Sequence, residues 1–139
     1  MFMRVKVSFD LFGVLNLISS VGRFRHRVRL QKYVLLAQRE VAYPFSFNFE
    51  RYFYGPYSFD LRNFMDVLVS EGLVKEEKTA TSCGVEYSYE LTGIGELFLG
   101  DISKQVPDNE KQKLRKLVRT LSDLSDVAVV KRAKQVFGW

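Results

Sequence analysis

The run Arg51-Tyr-Phe-Tyr-Gly-Pro-Tyr-Ser58, with the helix that it opens, constrains the fold of this chain more than any other feature. Its Gly-Pro pair predicts a turn, because glycine tolerates unusual backbone angles and proline fixes its own. Ser58 then stands at the position of an N-cap, whose hydroxyl accepts an amide hydrogen of the first helical turn. We predict a helix from here to Glu71, because apolar residues recur at helical spacing and Gly72 stands where a glycine commonly ends a helix. The apolar positions are Leu61, Phe64, Met65 and Leu68.

Two further helices are predicted before this turn. The first runs from Phe9 to Val21, where Gly22 ends it, and the second runs from Arg27 to about Glu40. In the second helix apolar side chains recur at the i, i+3, i+4 and i+7 positions of one face. They are Leu30, Tyr33, Val34 and Ala37.

An aromatic segment separates the second helix from the turn. Pro44 prevents the helix from continuing. Phe45, Phe47 and Phe49 then alternate with polar residues, and this period of two is typical of a half-buried strand. Tyr54 ends the aromatic run.

A two-stranded hairpin is predicted after the third helix. Its first strand begins at Leu73, its loop tip lies over 79–84, and its second strand runs over 85–91. Apolar and polar residues alternate on the second strand, which predicts one buried and one solvent-exposed face. Thr92 then caps a short helix over 93–99. Helix, hairpin and capped helix in this order are typical of a winged helix-turn-helix.

Two amphipathic helices follow a linker over 100–109. The first runs over 110–121, and the second runs over 122–136. The predicted core positions are Leu114, Leu117, Val118 and Leu121 on the first helix and Val127, Val130, Ala133 and Phe137 on the second.

The length of 139 residues predicts one domain over 1–139, with an α+β, mostly helical fold. We expect a winged helix-turn-helix core over about 9–99, with a two-stranded wing. A C-terminal extension of two helices over 108–137 completes the predicted architecture.

Three short motifs mark the middle of the chain: Arg29-Leu-Gln-Lys-Tyr-Val-Leu-Leu-Ala-Gln38, Phe53-Tyr-Gly-Pro-Tyr-Ser58 and Glu71-Gly-Leu73. In this order they resemble the YwgA-like proteins of bacteria and archaea, and more distantly the SocA-like (Panacea) antitoxin domain. The resemblance covers about residues 27–99. It implies a winged-helix-like domain, no cofactor, and a regulatory or antitoxin-like role, and it transfers no catalytic residues.

Cysteine and histidine usage argues against several function classes. The single cysteine, Cys83, cannot form a disulfide within the chain, which fits a reducing cytosol. One histidine, His26, is too few for a zinc site of common spacing, and the sequence holds no phosphate-binding glycine loop or nucleophile elbow. No segment approaches the roughly 20 apolar residues of a membrane span. We therefore predict a cytoplasmic protein that is not an enzyme, with no catalytic site, metal, cofactor or membrane partner.

The net charge of +5 favours an anionic partner, and the basic residues concentrate in three groups. The groups lie over 22–32, 111–119 and 131–134, and the first two contain no acidic residue. Because charge runs are often only a solvated face, that alternative stays open. From the first group we predict phosphate contacts by Arg23, Arg25, Arg27, Arg29 and Lys32.

The third helix and the wing are less suited to DNA. Acidic residues outnumber basic ones on both elements, and an acidic surface repels phosphates. On the third helix Arg62 and Asn63 are the candidate base readers, for guanine and adenine edges in the major groove.

These features predict a small regulatory nucleic-acid-binding protein, transcription-regulator-like or antitoxin-like, with double-stranded DNA as its partner. The alternative is a protein–protein interaction module on the same scaffold, without DNA binding, whose partner is a protein such as a toxin. In either case residues 110–137 are a candidate homodimer surface.

Overall fold

The computed structural model describes residues 3–53 and 55–139, with side chains described from Phe9 onward. Within these ranges the chain is a mostly helical α+β fold with two small antiparallel hairpins, which confirms the predicted class. The elements are α1 (Met3–Val21), α2 (Arg27–Glu40), β1 (Glu50–Tyr52), β2 (Gly55–Tyr57), α3 (Phe59–Ser70), β3 (Val74–Thr81), β4 (Gly84–Leu91), α4 (Gly93–Ser103), α5 (Asp108–Leu121) and α6 (Asp126–Phe137).

The helix predicted after the Gly-Pro pair is confirmed as α3. Ser58 is fully buried, and its hydroxyl accepts the Leu61 N–H at 3.1 Å. At the other end Glu71 is the C-cap, and Gly72 follows with a φ of +77°. This left-handed conformation favours glycine, because a Cβ would strain it.

Two adjacent side chains of α2 hold the start of α3. Gln31, only 4% exposed, donates its amide to the Ser58 carbonyl at 2.9 Å and accepts the Ser58 N–H at 2.8 Å. Lys32, 2% exposed, donates to the carbonyl of Pro56. Buried backbone polar groups must be paired, so this helix and this turn form one structural unit. We call it the Gln31–Lys32 clamp.

The strand predicted over Phe45, Phe47 and Phe49 is wrong. That segment is irregular, and the antiparallel pairing occurs between β1 and β2, with Arg51 opposite Pro56. Phe45 and Phe47 are nevertheless buried in the core. The alternation of aromatic and polar residues in this segment therefore reflects burial of one side and not strand pairing. Tyr54, predicted to end the aromatic run, lies outside the described residues.

The hairpin predicted after α3 is confirmed, and both of its strands are longer than expected. They pair from Val74 opposite Leu91 to Thr81 opposite Gly84, which leaves a two-residue turn. Phe24, between α1 and α2, forms an antiparallel bridge to Tyr89 of β4, with hydrogen bonds of 2.9 and 2.8 Å. The segment that precedes α2 therefore runs along β4.

One face of β4 differs from expectation. The face with Glu86, Ser88 and Glu90 was predicted to be solvent-exposed, but Ser88 is buried. The Arg23 guanidinium covers it and donates to its hydroxyl at 2.9 Å.

The helix boundaries near the C-terminus also differ from those predicted. The helix α4 continues to Ser103, and α6 begins only at Asp126, where the Ser125 hydroxyl accepts the Ala128 N–H at 3.1 Å. The helix α6 packs on α2, and its buried residues are Val129 and Ala133. Ala133 is a predicted core position, whereas Val129 is not. Val127, predicted to be a core residue, is 79% exposed.

The start of α1 lies earlier than predicted, at Met3 rather than Phe9. Its apolar side chains from Phe12 to Ile18 enter the same buried cluster as Leu114, Leu117 and Leu121 of α5. That face of α5 was predicted.

The C-terminal residue Trp139, which follows α6, contacts the first hairpin, formed by β1 and β2. The Arg51 guanidinium of β1 lies 4.6 Å from the centroid of the Trp139 ring, and the Lys134 ammonium of α6 lies 5.4 Å from it. These cation–π contacts join the two elements.

We expect Gln31→Ala to lower the free energy of unfolding by about 1–3 kcal/mol, because it leaves the buried Ser58 N–H unpaired. The Ser58 carbonyl loses one of its two hydrogen bonds and keeps the one from the Arg62 N–H. Urea unfolding followed by circular dichroism measures this. The control is Gln112→Ala, an exposed change on α5 that we expect to stay within about 0.5 kcal/mol of the wild type. Equal stability of the two variants would contradict the clamp.

The two glycines of α4 provide a second test. A Cβ at Gly95 would lie 2.1 Å from the carbonyl oxygen of Leu73, whereas a Cβ at Gly100 would meet nothing within 4 Å. We expect Gly95→Ala to destabilise the fold by about 1–3 kcal/mol through this clash. Gly100→Ala should instead stabilise it by up to about 1 kcal/mol, because alanine favours a helix. Thermal unfolding of both variants distinguishes them, and a neutral Gly95→Ala would refute the close approach of α4 to Leu73.

Candidate nucleic-acid interface

Three of the predicted arginines converge on one open cleft of about 530 Å³. Its walls come from the segment between α1 and α2, the start of α2, strand β4, and the junction of α5 and α6. The basic and acidic side chains that line it are Arg23, Arg25, His26, Arg29, Glu86 and Asp126. We call this feature the arginine cleft.

Arg29 is fixed at the base of the cleft. Its side chain is 15% exposed and donates to Asp126 Oδ1 at 2.7 Å, and to the carbonyls of Leu121 and Leu124 at 3.2 and 2.9 Å. Burial opposes the charge on Arg29, but the hydrogen bonds to Asp126 and Tyr33 outweigh it and raise its pKa. Arg29 therefore stays charged and ties α2 to the α5–α6 junction.

Arg23 and Arg25 lie on the rim and are more available. Arg23 is 48% exposed, with Ser88 as its hydrogen-bond acceptor and Glu77 Oε1 at 3.7 Å. Arg25 is exposed, and no residue that the structure describes forms a hydrogen bond or ion pair with it. Because the intervening Phe24 is buried, the extended backbone turns both arginines outward. Arg25 is thus the guanidinium best placed for an external anion.

Arg27 does not join the cleft. Its guanidinium lies 3.5 Å from the centroid of the Tyr87 ring and donates to the Tyr89 hydroxyl at 3.0 Å. That hydroxyl donates in turn to Glu76 at 2.8 Å, and burial with this hydrogen bond raises the pKa of Tyr89. Arg27 therefore ties α2 to the β3–β4 hairpin.

Lys32, predicted to contact phosphate, requires a correction. Its ammonium is bound to the Pro56 carbonyl in the interior, so it cannot reach a phosphate at the surface. Burial, and secondarily the charge of Lys134, lowers the pKa of Lys32 to about 8. Its structural role is in the Gln31–Lys32 clamp.

The candidate base readers lie on a different surface. Arg62 and Asn63 are exposed on α3 and do not line the arginine cleft. Arg62 instead shares a narrow crevice with Arg27 and Tyr57. The structure therefore separates these two residues from the arginines at the cleft.

No local pattern in the sequence indicates that α5 and α6 complete the cleft. Val118 of α5 and the C-cap residue Ser122 line it. Arg115 and Arg119 are exposed and lie three positions before these residues, hence on neighbouring parts of the same helical face. The second basic group thus lies beside the cleft, although none of its basic residues lines it. In the third group Arg132 is bound to Glu40 at 2.7 and 2.9 Å, and none of the group's basic residues lines the cleft.

Comparison with known proteins gives one informative similarity. No family model matches this chain. The chain is 30% identical over 95 residues to the uncharacterized protein YwgA of Bacillus subtilis (strain 168). The match covers 68% of this chain and 57% of that protein, so the chain spans little more than half of its relative. A weak YwgA-like relationship is supported, while the antitoxin-like part of the resemblance stays a prediction.

Among the residues that the structure describes, no helix has the length and hydrophobicity of a membrane span. Nor do these residues bring three or more His, Cys, Asp or Glu side chains together as metal ligands.

The pKa of Lys32 predicts a pH dependence of stability. Its folded pKa is about 8 against an ordinary 10.5, so between these values the unfolded chain binds more protons. Stability conferred by this site should therefore rise with pH through that window, by at most about 1.4 kcal/mol per pH unit. We expect the wild type to gain about 1–2 kcal/mol relative to Lys32→Met between pH 7.5 and 9.5.

Urea unfolding at several pH values provides the measurement. Lys104→Met, at an exposed lysine, is the control and should run parallel to the wild type. If the stability of Lys32→Met changed with pH in the same way as that of the wild type, the Lys32 amine would not be desolvated in the folded protein.

Proposed function

We propose that this chain is a small regulatory nucleic-acid-binding protein on a winged-helix scaffold, and that it binds the phosphate backbone of duplex DNA at the rim of the arginine cleft. The observation that carries the proposal is the convergence of Arg23, Arg25 and Arg29 on one cleft beside α5. The exposed Arg115 and Arg119 of α5 lie one helical turn from Val118 and Ser122, which line this cleft. Such a surface attracts phosphates by releasing condensed counterions.

The order of elements supports the winged-helix scaffold. In this interpretation α2 and α3 form the helix-turn-helix, and β3 and β4 form the wing. The bridge between Phe24 and Tyr89 supplies a short third strand beside β4. The connection between α2 and α3 holds the β1–β2 hairpin, so it is longer than the roughly 3–4-residue turn of a simple helix-turn-helix.

Backbone contacts should dominate over base readout. Arg62 and Asn63 are exposed on α3, but the exposed Asp60 and Asp66 lie on the same helix. These carboxylates oppose the approach of phosphates, whereas phosphate contacts position a protein on DNA without reading its sequence. The proposed protein therefore binds duplex DNA with modest sequence preference.

A protein-interaction module is the second candidate function. An apolar groove favours it, because Val127 and Val130 of α6 lie beside Asp126 on one side of the groove, and Val28 of α2 also lies next to Val130. Val127 is 79% exposed and adjoins Val130, so the groove presents neighbouring apolar side chains to solvent. This groove lies within the surface predicted to form a homodimer.

Fluorescence anisotropy on a labelled duplex with 5′-hydroxyl ends, across a salt series, tests the proposed function. The logarithm of the binding constant should fall linearly with the logarithm of salt concentration, by about 0.9 per phosphate contact. Arg25→Ala and Arg119→Ala should each reduce this slope by about one unit. Lys104→Ala, which removes an exposed charge outside the cleft, should leave the slope unchanged.

Two outcomes would reject DNA binding at this surface. One is the absence of binding at low salt, and the other is an equal slope for Arg25→Ala and the wild type. A change of molar mass in Val127→Asp, measured by light scattering, would instead support the interaction module.

A further inference from the structure

We propose that the interior of the arginine cleft binds a phosphate monoester carried by a nucleotide-sized molecule, either a free nucleotide or the phosphorylated end of a nucleic-acid strand. The inference deepens the proposed function and partly rests on it, because backbone phosphates at the rim and a terminal phosphate inside use the same cations. It adds a ligand class and a location that backbone binding does not require.

The size of the cleft selects the ligand class. Its volume of about 530 Å³ falls within the range of roughly 300–1,000 Å³ that is usual for small-molecule sites. Inorganic phosphate would leave most of this space empty, whereas a duplex is too wide to enter it. A single nucleotide, free or at a strand end, fits between these limits.

The charges inside favour a dianion. Asp126 already balances Arg29, and Glu77 lies 3.7 Å from the Arg23 guanidinium, which leaves Arg25 as the cleft arginine without an ionic partner among the described residues. A phosphate monoester carries about −1.5 to −2 charges near neutral pH, whereas each backbone diester carries one. Guanidinium groups bind phosphate oxygens with paired, directional hydrogen bonds. The terminal phosphate, with its second charge, is therefore the better match to Arg25 and the stronger competitor for the exposed Arg23, which Glu77 holds only at 3.7 Å.

The remaining lining suits the rest of a nucleotide. Ser20, Ser122 and Tyr33 bring hydroxyls to the cleft, and Val21 and Val118 bring apolar surface. Glu86 also lines it, and no described residue pairs with its carboxylate. A carboxylate accepts hydrogen bonds from sugar hydroxyls or base amino groups, which an inorganic anion lacks. The cleft thus combines anion-binding groups with an acceptor for neutral donors.

Titration calorimetry with adenosine monophosphate, adenosine and inorganic phosphate tests the proposal, with amide chemical shifts locating the site. We expect the monophosphate to bind and to shift the amides over 20–29 and 118–126. Adenosine should bind at least about tenfold more weakly, because it lacks the charge-assisted hydrogen bonds. Arg25→Ala should weaken binding by roughly tenfold or more. Lys104→Ala should bind as the wild type does.

A second pair of probes identifies the source of the phosphate. A short single-stranded oligonucleotide is compared with and without a 5′-phosphate. If the phosphorylated strand binds more tightly, the ligand of the cleft is the phosphorylated end of a strand. If the two strands bind equally and adenosine monophosphate still binds more tightly than adenosine, the ligand is a free nucleotide.

The proposal is overturned if neither the monophosphate nor the 5′-phosphate gains affinity over its unphosphorylated counterpart. It is also overturned if inorganic phosphate binds as tightly as the monophosphate. Salt-dependent binding of the 5′-hydroxyl duplex would then still uphold the proposed function. Conversely, if the monophosphate binds and the duplex does not, the proposed phosphate site inside the cleft is supported and the binding of backbone phosphates at its rim is rejected.

Discussion

The rest of the structure depends on the pairing of Gln31 with the backbone of Ser58. A side-chain amide offers both a donor and an acceptor, so one glutamine satisfies both polar groups of a single buried residue. Lys32 secures the carbonyl of Pro56 beside it. Together they set where α3 begins, and α3 packs against β3 of the second hairpin. Two motifs that are distant in this sequence are therefore in direct contact in the fold.

Features decided within a few residues could be predicted from the sequence. The caps at Ser58 and Thr92 and the glycine at position 72 depend on local geometry, and α2 has the expected bounds. Pairing and rotation depend on distant partners and could not be predicted. The alternating Phe45 and Phe47 are buried, yet β1 and β2 take the strand pairing. The orientation of α6 was missed because the surface of α2 decides which face is buried.

The candidate site shows the same division. The outward placement of Arg23 and Arg25 follows from alternation around Phe24, which the sequence reveals. The positions of Arg27 and Lys32 depend on Tyr87, Tyr89 and Pro56, which lie far along the chain. Similarly, no local pattern indicates that Glu86 of β4 and Asp126 of α6 would line the same cleft as the arginines at the start of α2. Charge clusters in a sequence therefore show how many cations exist, while the fold decides how many remain available.

The position of Trp139 has a consequence for spectroscopy. It is the single tryptophan, and Arg51 and Lys134 flank its ring at the edge of the molecule rather than in the hydrophobic core. Indole emission therefore senses whether the chain after α6 remains docked on the first hairpin. A denaturation curve recorded by this fluorophore describes peripheral undocking, and it coincides with loss of helical ellipticity only when both occur in one cooperative event.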